Sequence, residues 1–136
     1  MISKSIAKTQ KIAKDLVKKI PKRKEHAFVI ALKGDLGGGK TTFIQGMAKG
    51  LGIKEKILSP TFNILKKYGN FYHFDCYRIE KPKEILDLGF KKIIQDPKNI
   101  VVVEWADKIK KIIPKHALWL NFKFVDKSKR EINMIK

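Results

Sequence analysis

A glycine-rich segment, GDLGGGKT at residues 34–41, limits the possible folds more than any other part of the chain. It fits the pattern G-x-x-x-x-G-K-[ST] in full. An apolar run, AFVIAL at residues 27–32, precedes it, and an amphipathic stretch at 41–51 follows it. Strand, loop and helix in this order are the context in which the pattern binds phosphate. The sequence therefore predicts an α/β fold built around a phosphate-binding loop.

The residue types of this loop suit a bound nucleoside triphosphate. Glycines let successive backbone N–H groups turn inward around phosphate oxygens, where a Cβ atom would collide. The N-terminus of the following helix adds a partial positive charge. We expect Lys40 to reach the β- and γ-phosphates and the Thr41 hydroxyl to bind Mg²⁺. The alternative is a glycine-rich turn that only joins a strand to a helix.

Other segments complete the expected sheet. The run IVVV at 100–103 predicts a second buried strand, and two runs at 62–68 and 71–75 flank Gly69-Asn70 as an antiparallel hairpin. Residues 118–124 and 131–134 alternate apolar and polar side chains, which favours half-exposed antiparallel strands. Together these predict a P-loop NTPase-like three-layer α/β fold, with a mixed, mostly parallel sheet, an antiparallel hairpin and C-terminal strands.

Two further helices are predicted, one at the start of the chain and one in its second half. Helical spacing of apolar residues favours a helix over 3–20, with Ser3 as its N-cap and Pro21 at its end. Pro82 suits the first turn of a short helix through Leu88. With 136 residues, we expect one domain spanning residues 1–136.

Two carboxylates are candidates for chemistry beside the loop. Glu104 ends the IVVV strand, where ligands bind in open α/β folds, so it is placed as the acidic residue that holds Mg²⁺. The alternative is a surface carboxylate at a strand end. Asp75, on the same strand face as His73, is a candidate to orient or deprotonate water. It could equally end the hairpin strand or pair with Arg78.

Composition narrows the classes of protein. Cys76 is the only cysteine, so no internal disulfide forms, and it is interpreted as a small buried hydrophobe. No stretch approaches the ~20 apolar residues of a membrane helix and no signal-like apolar region starts the chain, so we expect a cytoplasmic protein without a membrane partner. The net charge of +18 indicates either a solvated lysine-rich surface or a face that binds polyanions.

Four stretches together resemble a known family. They are GDLGGGKTTF at 34–43, SPTF at 59–62, HFDCYR at 73–78 and VEW at 103–105. In this order they resemble the TsaE family, formerly YjeE, the small ATPases of bacterial tRNA threonylcarbamoyladenosine synthesis. The combination is far more specific than the phosphate-binding loop alone, which fits many unrelated ATPases and GTPases.

The resemblance implies a Mg²⁺-dependent ATPase that works with TsaB and TsaD proteins, which install threonylcarbamoyl on adenosine 37 of tRNAs reading ANN codons. It implies that Thr41 and Glu104 hold Mg²⁺, that Thr61 belongs to a switch-like loop, and that Asp75 supports hydrolysis. Thr9 and Arg130 match family positions near the nucleotide only loosely. The implied ATP-binding residues are Leu36, Gly37, Gly38, Gly39, Lys40, Thr41 and Thr42.

The chain departs from the family pattern at two positions. Gly38 stands where members often have alanine, and Ala106 follows the tryptophan where they often have proline. The first change leaves the phosphate cradle intact. The second leaves the loop after Glu104 less constrained.

Two other functions are compatible with the sequence. A small-molecule kinase would use the same loop, although few residues remain for an acceptor site and a lid. A nucleotide-gated RNA-binding module would use the positive charge and stack bases on aromatic residues of the hairpin region. These aromatic residues are Tyr68, Phe71, Tyr72 and Tyr77, and they could equally line the core face of the hairpin. Trp105 is interpreted as a packing residue, with nucleotide stacking as the alternative.

Overall fold

The computed structural model describes residues 1–34, 39–57, 64–126 and 129–135, which form a seven-stranded sheet with helices. The strands are β1 (Ile2–Ser3), β2 (Phe28–Gly34), β3 (Leu65–Tyr68), β4 (Phe71–Asp75), β5 (Ile100–Glu104), β6 (Leu118–Phe124) and β7 (Arg130–Ile135). The helices are α1 (Ile6–Lys18), α2 (Lys40–Gly50), α3 (Lys83–Leu86) and α4 (Phe90–Gln95), with a 3₁₀ helix at Ala106–Ile112.

The sheet is mixed, with its parallel part at the centre. The strand order is β1-β7-β6-β2-β5-β4-β3, and β6, β2, β5 and β4 run parallel to one another. The pairs β3–β4, β6–β7 and β1–β7 are antiparallel. β2 and β5 are the two apolar runs of the sequence, and each lies between two parallel neighbours, which explains why both of their faces are apolar.

Two hydrophobic cores cover the two faces of the sheet. One core packs α1 and α2 against β2 and β6, with Phe43, Leu32 and Phe122 among its buried members. The other packs α3, α4 and the 3₁₀ helix against the opposite face, with Phe74 and Phe90 in edge-to-face contact. The predicted three-layer α/β fold, mixed sheet and hairpin are therefore confirmed.

Three details differ from the sequence-based expectations. β6 pairs parallel with β2 and antiparallel only with β7, so it lies beside the central strand. Alternating polarity reports which faces are buried, not the direction of the neighbouring strand. The N-cap of α1 is Ser5, whose Oγ accepts a hydrogen bond from the backbone N–H of Lys8 at 3.0 Å. Ser3 instead lies in β1, where its buried hydroxyl meets that of Thr9.

The second half of the chain contains helical turns that the sequence analysis missed. α3 ends at Leu86 with Asp87 as its C-cap, and Gly89, with φ +87°, is the N-cap of α4, which is only six residues long. The 3₁₀ helix is kinked at Ile109. Segments this short carry too few repeats for helical periodicity to be visible. No helix in the described ranges is long and apolar enough to cross a membrane.

Close contact between α1 and α2 predicts a specific stability effect at Gly46. A Cβ atom there would lie 2.7 Å from the Cα atom of Gln10 and 2.9 Å from the Cβ atom of Ala13. Overpacking of this kind costs up to ~3 kcal/mol, and the helix gains ~1 kcal/mol from alanine, so Gly46→Ala should lower the free energy of unfolding by about 2 kcal/mol. Denaturant unfolding monitored by circular dichroism measures it.

The matched control for Gly46→Ala lies on the same helix. At Gly50 the nearest atom to an added Cβ is the Cα atom of Lys14, at 3.3 Å. Gly50→Ala should therefore change the free energy of unfolding by less than ~1 kcal/mol. Equal effects of the two substitutions would contradict the described packing of α1 on α2.

Candidate functional site

The carboxyl ends of the central strands bring the candidate residues to one edge of the sheet. Glu104 is the last residue of β5 and pairs in register with Leu32 on one side and Asp75 on the other. Gly34 ends β2 two positions beyond Leu32, and α2 begins nearby at Lys40. Glu104, Asp75 and the ends of the phosphate-binding segment therefore share this edge.

The N-terminus of α2 is free of a side-chain cap. Gly39 is the N-cap, has φ +95° and forms no side-chain capping hydrogen bond. The first N–H groups of a helix lack partners within the helix and attract anions. This arrangement suits a bound phosphate, because no side chain at the cap position competes for those N–H groups.

Two residues from opposite ends of the chain meet Gly39. A Cβ atom on Gly39 would lie 3.5 Å from Cγ of Arg130 and 3.9 Å from Cγ2 of Thr9. The sequence analysis placed these two residues near the nucleotide only loosely, since neither belongs to a local motif. The pairing of β1 with β7, Ser3 opposite Arg130, brings them together. Arg130 also donates from Nη1 to the carbonyl oxygen of Asp126 at 2.6 Å.

Lys40 is nearly buried and held at the edge of the sheet. Its Nζ donates to the carbonyl oxygen of Gly34 at 2.8 Å and lies 3.7 Å from the centroid of the Trp105 ring. The second contact is a cation–π interaction. Trp105 therefore contacts the lysine that the motif assigns to the phosphates. Trp105 also has φ +56°, a left-handed conformation that costs a non-glycine residue about 1–2 kcal/mol.

Glu104 and His73 form a buried pair. Nε2 of His73 lies 2.7 Å from Oε2 of Glu104, and both residues are almost fully removed from solvent. A carboxylate can only accept, so Nε2 carries the proton that it donates. Among the described residues, Nδ1 of His73 has no hydrogen-bond partner, which fits an unprotonated nitrogen. His73 thus holds Glu104 in one orientation, a role that the sequence analysis did not assign to it.

The Asp75 carboxylate is half-buried beside the same groups. Burial raises the pKa of Asp75 most strongly, and the N–H of Tyr77, 3.0 Å from Oδ1, lowers it. The charge of Glu104 raises the same pKa further, while His73 and Lys40 lower it. The net direction is upward. Asp75 therefore lies within electrostatic reach of Lys40 and Glu104, and it also closes a local turn with Tyr77.

The His73–Glu104 contact predicts a positioning effect. In His73→Ala the buried Glu104 carboxylate loses its donor, so we expect ~3 kcal/mol less stability. For the Mg·ATP hydrolysis that the family resemblance leads us to expect, with Glu104 as the expected Mg²⁺ ligand, kcat/KM should fall 10- to 100-fold. Thermal unfolding and phosphate release measure the two effects. His73→Gln keeps an N–H donor and should recover most of both. If the alanine variant lost stability but kept its kcat/KM, His73 would have no part in positioning Glu104.

Comparisons with known proteins agree with this fold and motif order. The profile of the family described as "Threonylcarbamoyl adenosine biosynthesis protein TsaE" matches residues 3–132. The chain belongs to the TsaE family. A TsaE protein of Rickettsia bellii is 33% identical over 137 residues, covering 97% of this chain and 94% of that protein. A TsaE protein of Rickettsia typhi is 39% identical over 107 residues, covering 75% and 73%.

A solved structure shows the same architecture. The crystal structure of YdiB from Bacillus subtilis superimposes with a TM-score of 0.79 at 33% sequence identity, covering 98% of this chain and 82% of that chain. The TsaE resemblance expected from the four sequence stretches is thereby confirmed.

The described residues of this TsaE-family chain fit Mg²⁺ and ATP. Magnesium is commonly held by one or two carboxylates together with phosphate oxygens and water. Glu104 supplies a carboxylate and the partly buried Thr41 at the start of α2 supplies a hydroxyl oxygen, and Thr42 follows in the same turn. Within the described ranges no three His, Cys, Asp or Glu side chains group as metal ligands. The predicted site residues Leu36, Gly37, Gly38 and Thr61 lie outside the described residues.

Cys76 has no chemical role at this edge. It is fully buried in the core beneath α3 and α4, and burial raises the pKa of its thiol to about 12. A thiol with such a pKa is protonated near neutral pH and unreactive.

Proposed function

We propose that this chain is a Mg²⁺-dependent ATPase that acts in tRNA threonylcarbamoyladenosine biosynthesis, with TsaB and TsaD proteins as its partners. The observation that carries the ATPase is the position of Lys40, buried at the start of α2 on the sheet edge where Glu104 ends β5. The pathway is the one that the name of the family states. The tRNA would be met through the partner complex.

Each residue has a role in this proposal. Bound Mg·ATP supplies the phosphoryl group, and Mg²⁺ neutralises charge on it. Lys40 exchanges the Gly34 carbonyl and the Trp105 ring for phosphate oxygens, which are stronger partners for an ammonium group. Thr41 and Glu104 would hold the metal, and Asp75 would accept a hydrogen bond from the attacking water. His73 keeps the Glu104 carboxylate in place.

We propose that the chain is slow without partners. Arg130 lies beside Gly39, but its Nη1 is occupied by the carbonyl oxygens of Asp126 and Lys129. Arginine side chains that reach the transferred phosphoryl group raise turnover by ~10³ to 10⁵. A partner that reoriented Arg130 or supplied its own cation would stimulate hydrolysis.

The contact of Lys40 with Trp105 predicts a direct binding signal. In a Trp119→Phe variant Trp105 is the only tryptophan, so its emission reports the site. Adding Mg·ATP should change that emission by about 20% or more, because the charge over the ring moves to the phosphates. Fluorescence titration gives the affinity. Lys40→Met in the same background removes the charge from the ring. Its emission without ATP should already resemble that of the ATP-bound parent, and added Mg·ATP should change it little. Equal responses of both would argue against the described contact.

The aromatic residues offered for base stacking are not arranged as a platform. Phe71 is fully buried, and Tyr68 and Tyr72 pack partly buried against the two cores. Tyr77 is exposed but lies beside Trp105 and Lys108 at the candidate ATP site. RNA binding through hairpin aromatics is therefore not favoured. A kinase would be revealed by ATP consumption that requires a nucleoside or sugar acceptor.

A further inference from the structure

A second cavity lies at the opposite end of the sheet from Lys40. It measures about 610 Å³ and lies between residues 17–24 and 97–100, with Leu51 and Asn70 also on its walls. We call it the basal cleft. Leu51 follows the last residue of α2, whereas Lys40 begins that helix. An eleven-residue helix spans about 16 Å, so the cleft is separate from the candidate ATP site.

The basal cleft joins an apolar floor to a cationic rim. Ile20, Leu51 and Ile100 supply apolar surface. The rim carries four cationic side chains, and no Asp or Glu is among the described residues that line the cleft. The cationic residues are Lys22, Arg23, Lys24 and Lys98.

Within the part of the chain that the structure describes, none of the four cations forms an ion pair with an acidic side chain. Among the described residues, the ion pairs are His73–Glu104 and Lys83–Asp87, and neither involves the rim. Four like charges around one cavity repel one another, and an anion bound between them would relieve that repulsion. Lys22, Arg23 and Lys24 come from one segment and Lys98 from another, so two distant segments bring their cations to the same open cleft.

The shape and charge select one class of ligand. A volume within the ~300–1,000 Å³ of small-ligand sites suits one or two nucleotide units. Phosphates would meet the cations, while the ribose and the faces of the bases would lie on the apolar floor. No aromatic residue lines the described cleft, so recognition would follow the backbone and not the base sequence.

We propose that the basal cleft binds a single-stranded RNA segment through its phosphates. The choice of RNA as the ligand rests on the proposed role in tRNA modification. The presence of the cleft and its positive charge are observed independently of that role. Binding at this end would leave the ATP site open, so one chain could hold RNA and nucleotide at once. Neither the phosphate-binding loop nor the hairpin aromatics take part.

The test is fluorescence anisotropy with a labelled single-stranded RNA oligonucleotide and the full chain. Lys22→Ala combined with Lys98→Ala removes one cation from each wall. Without these two exposed cations to meet phosphates, the chain should bind RNA about tenfold more weakly at 0.15 M salt. The slope of log affinity against log salt should fall in magnitude by about 1.4, at about 0.7 per phosphate.

A matched double variant controls for total charge. Lys91→Ala combined with Lys92→Ala removes the same two charges from exposed positions of α4, on the other layer of the fold. It should leave RNA affinity within about twofold of the parent chain. Equal weakening by the two double variants would overturn the proposal, because the lysine-rich surface would then act as a whole.

A further variant and competing anions distinguish RNA binding in the cleft from binding at other sites or of other ligands. Lys40→Ala should keep RNA affinity, since it changes only the candidate ATP site. Intact RNA binding in this variant therefore supports the cleft whether or not the chain hydrolyses ATP. Loss of RNA binding in that variant would place the RNA at the ATP site and overturn the proposal. Inorganic phosphate or AMP displacing the RNA at micromolar concentration would contradict it too, by showing a free-phosphate site. Polyglutamate competing as well as unlabelled RNA of equal charge would overturn it in favour of an acidic protein.

Discussion

Lys40→Ala should reduce phosphate release from Mg·ATP at least ~10³-fold, to the background of the assay. The expected loss is large because Lys40 lies almost buried at the start of α2, where it can offer a compact charge to the β- and γ-phosphates. Weakened ATP binding should accompany the loss. Turnover is best measured with partner proteins present, since that raises the signal above background.

The control for Lys40→Ala removes a charge from the same helix. Lys49 is exposed near the end of α2, and its Nζ donates to Oε1 of Gln10. Lys49→Ala should keep turnover within about twofold, because it lies at the far end of the helix. ATP turnover retained in Lys40→Ala would reject the assignment of the phosphate-binding loop.

Glu104→Gln should lower turnover by about 10²- to 10³-fold and raise the Mg²⁺ concentration needed for half-maximal rate. The substitution removes the negative charge but keeps an oxygen that can accept from Nε2 of His73, so the buried contact survives. Thermal unfolding without nucleotide should therefore be little changed. This separates loss of metal binding from loss of fold.

The control for Glu104→Gln is a carboxylate outside the site. Glu84 is exposed and accepts backbone hydrogen bonds from Glu80 and Lys81 at the start of α3. Glu84→Gln should leave the Mg²⁺ dependence unchanged. A Glu104→Gln variant with the parent's Mg²⁺ dependence would show that Glu104 is a structural carboxylate.

The sequence was sufficient to predict those elements whose structure depends on a local pattern of residues. The apolar run before the glycine-rich loop and the IVVV run predicted β2 and β5 because parallel central strands must be apolar on both faces. Glu104 followed directly, since its position at the end of such a strand fixes the edge on which it lies. The antiparallel hairpin was readable from Gly69, which has φ +62°.

The sequence was insufficient where distant segments meet. Thr9 and Arg130 come together at Gly39 only through the pairing of β1 with β7, and no local pattern encodes that pairing. His73 was placed on the face of Asp75, but its contact with Glu104 depends on β4 lying beside β5. The cationic rim of the basal cleft could not be predicted, because residues 22–24 and 97–98 are far apart in sequence.

The most direct test of the central proposal is phosphate release from Mg·ATP by the purified chain, alone and with TsaB and TsaD proteins plus tRNA. Slow turnover alone, rising at least ~10-fold with the partners and lost in Lys40→Ala, is the predicted result. ATP binding without turnover that depends on the partners would contradict it.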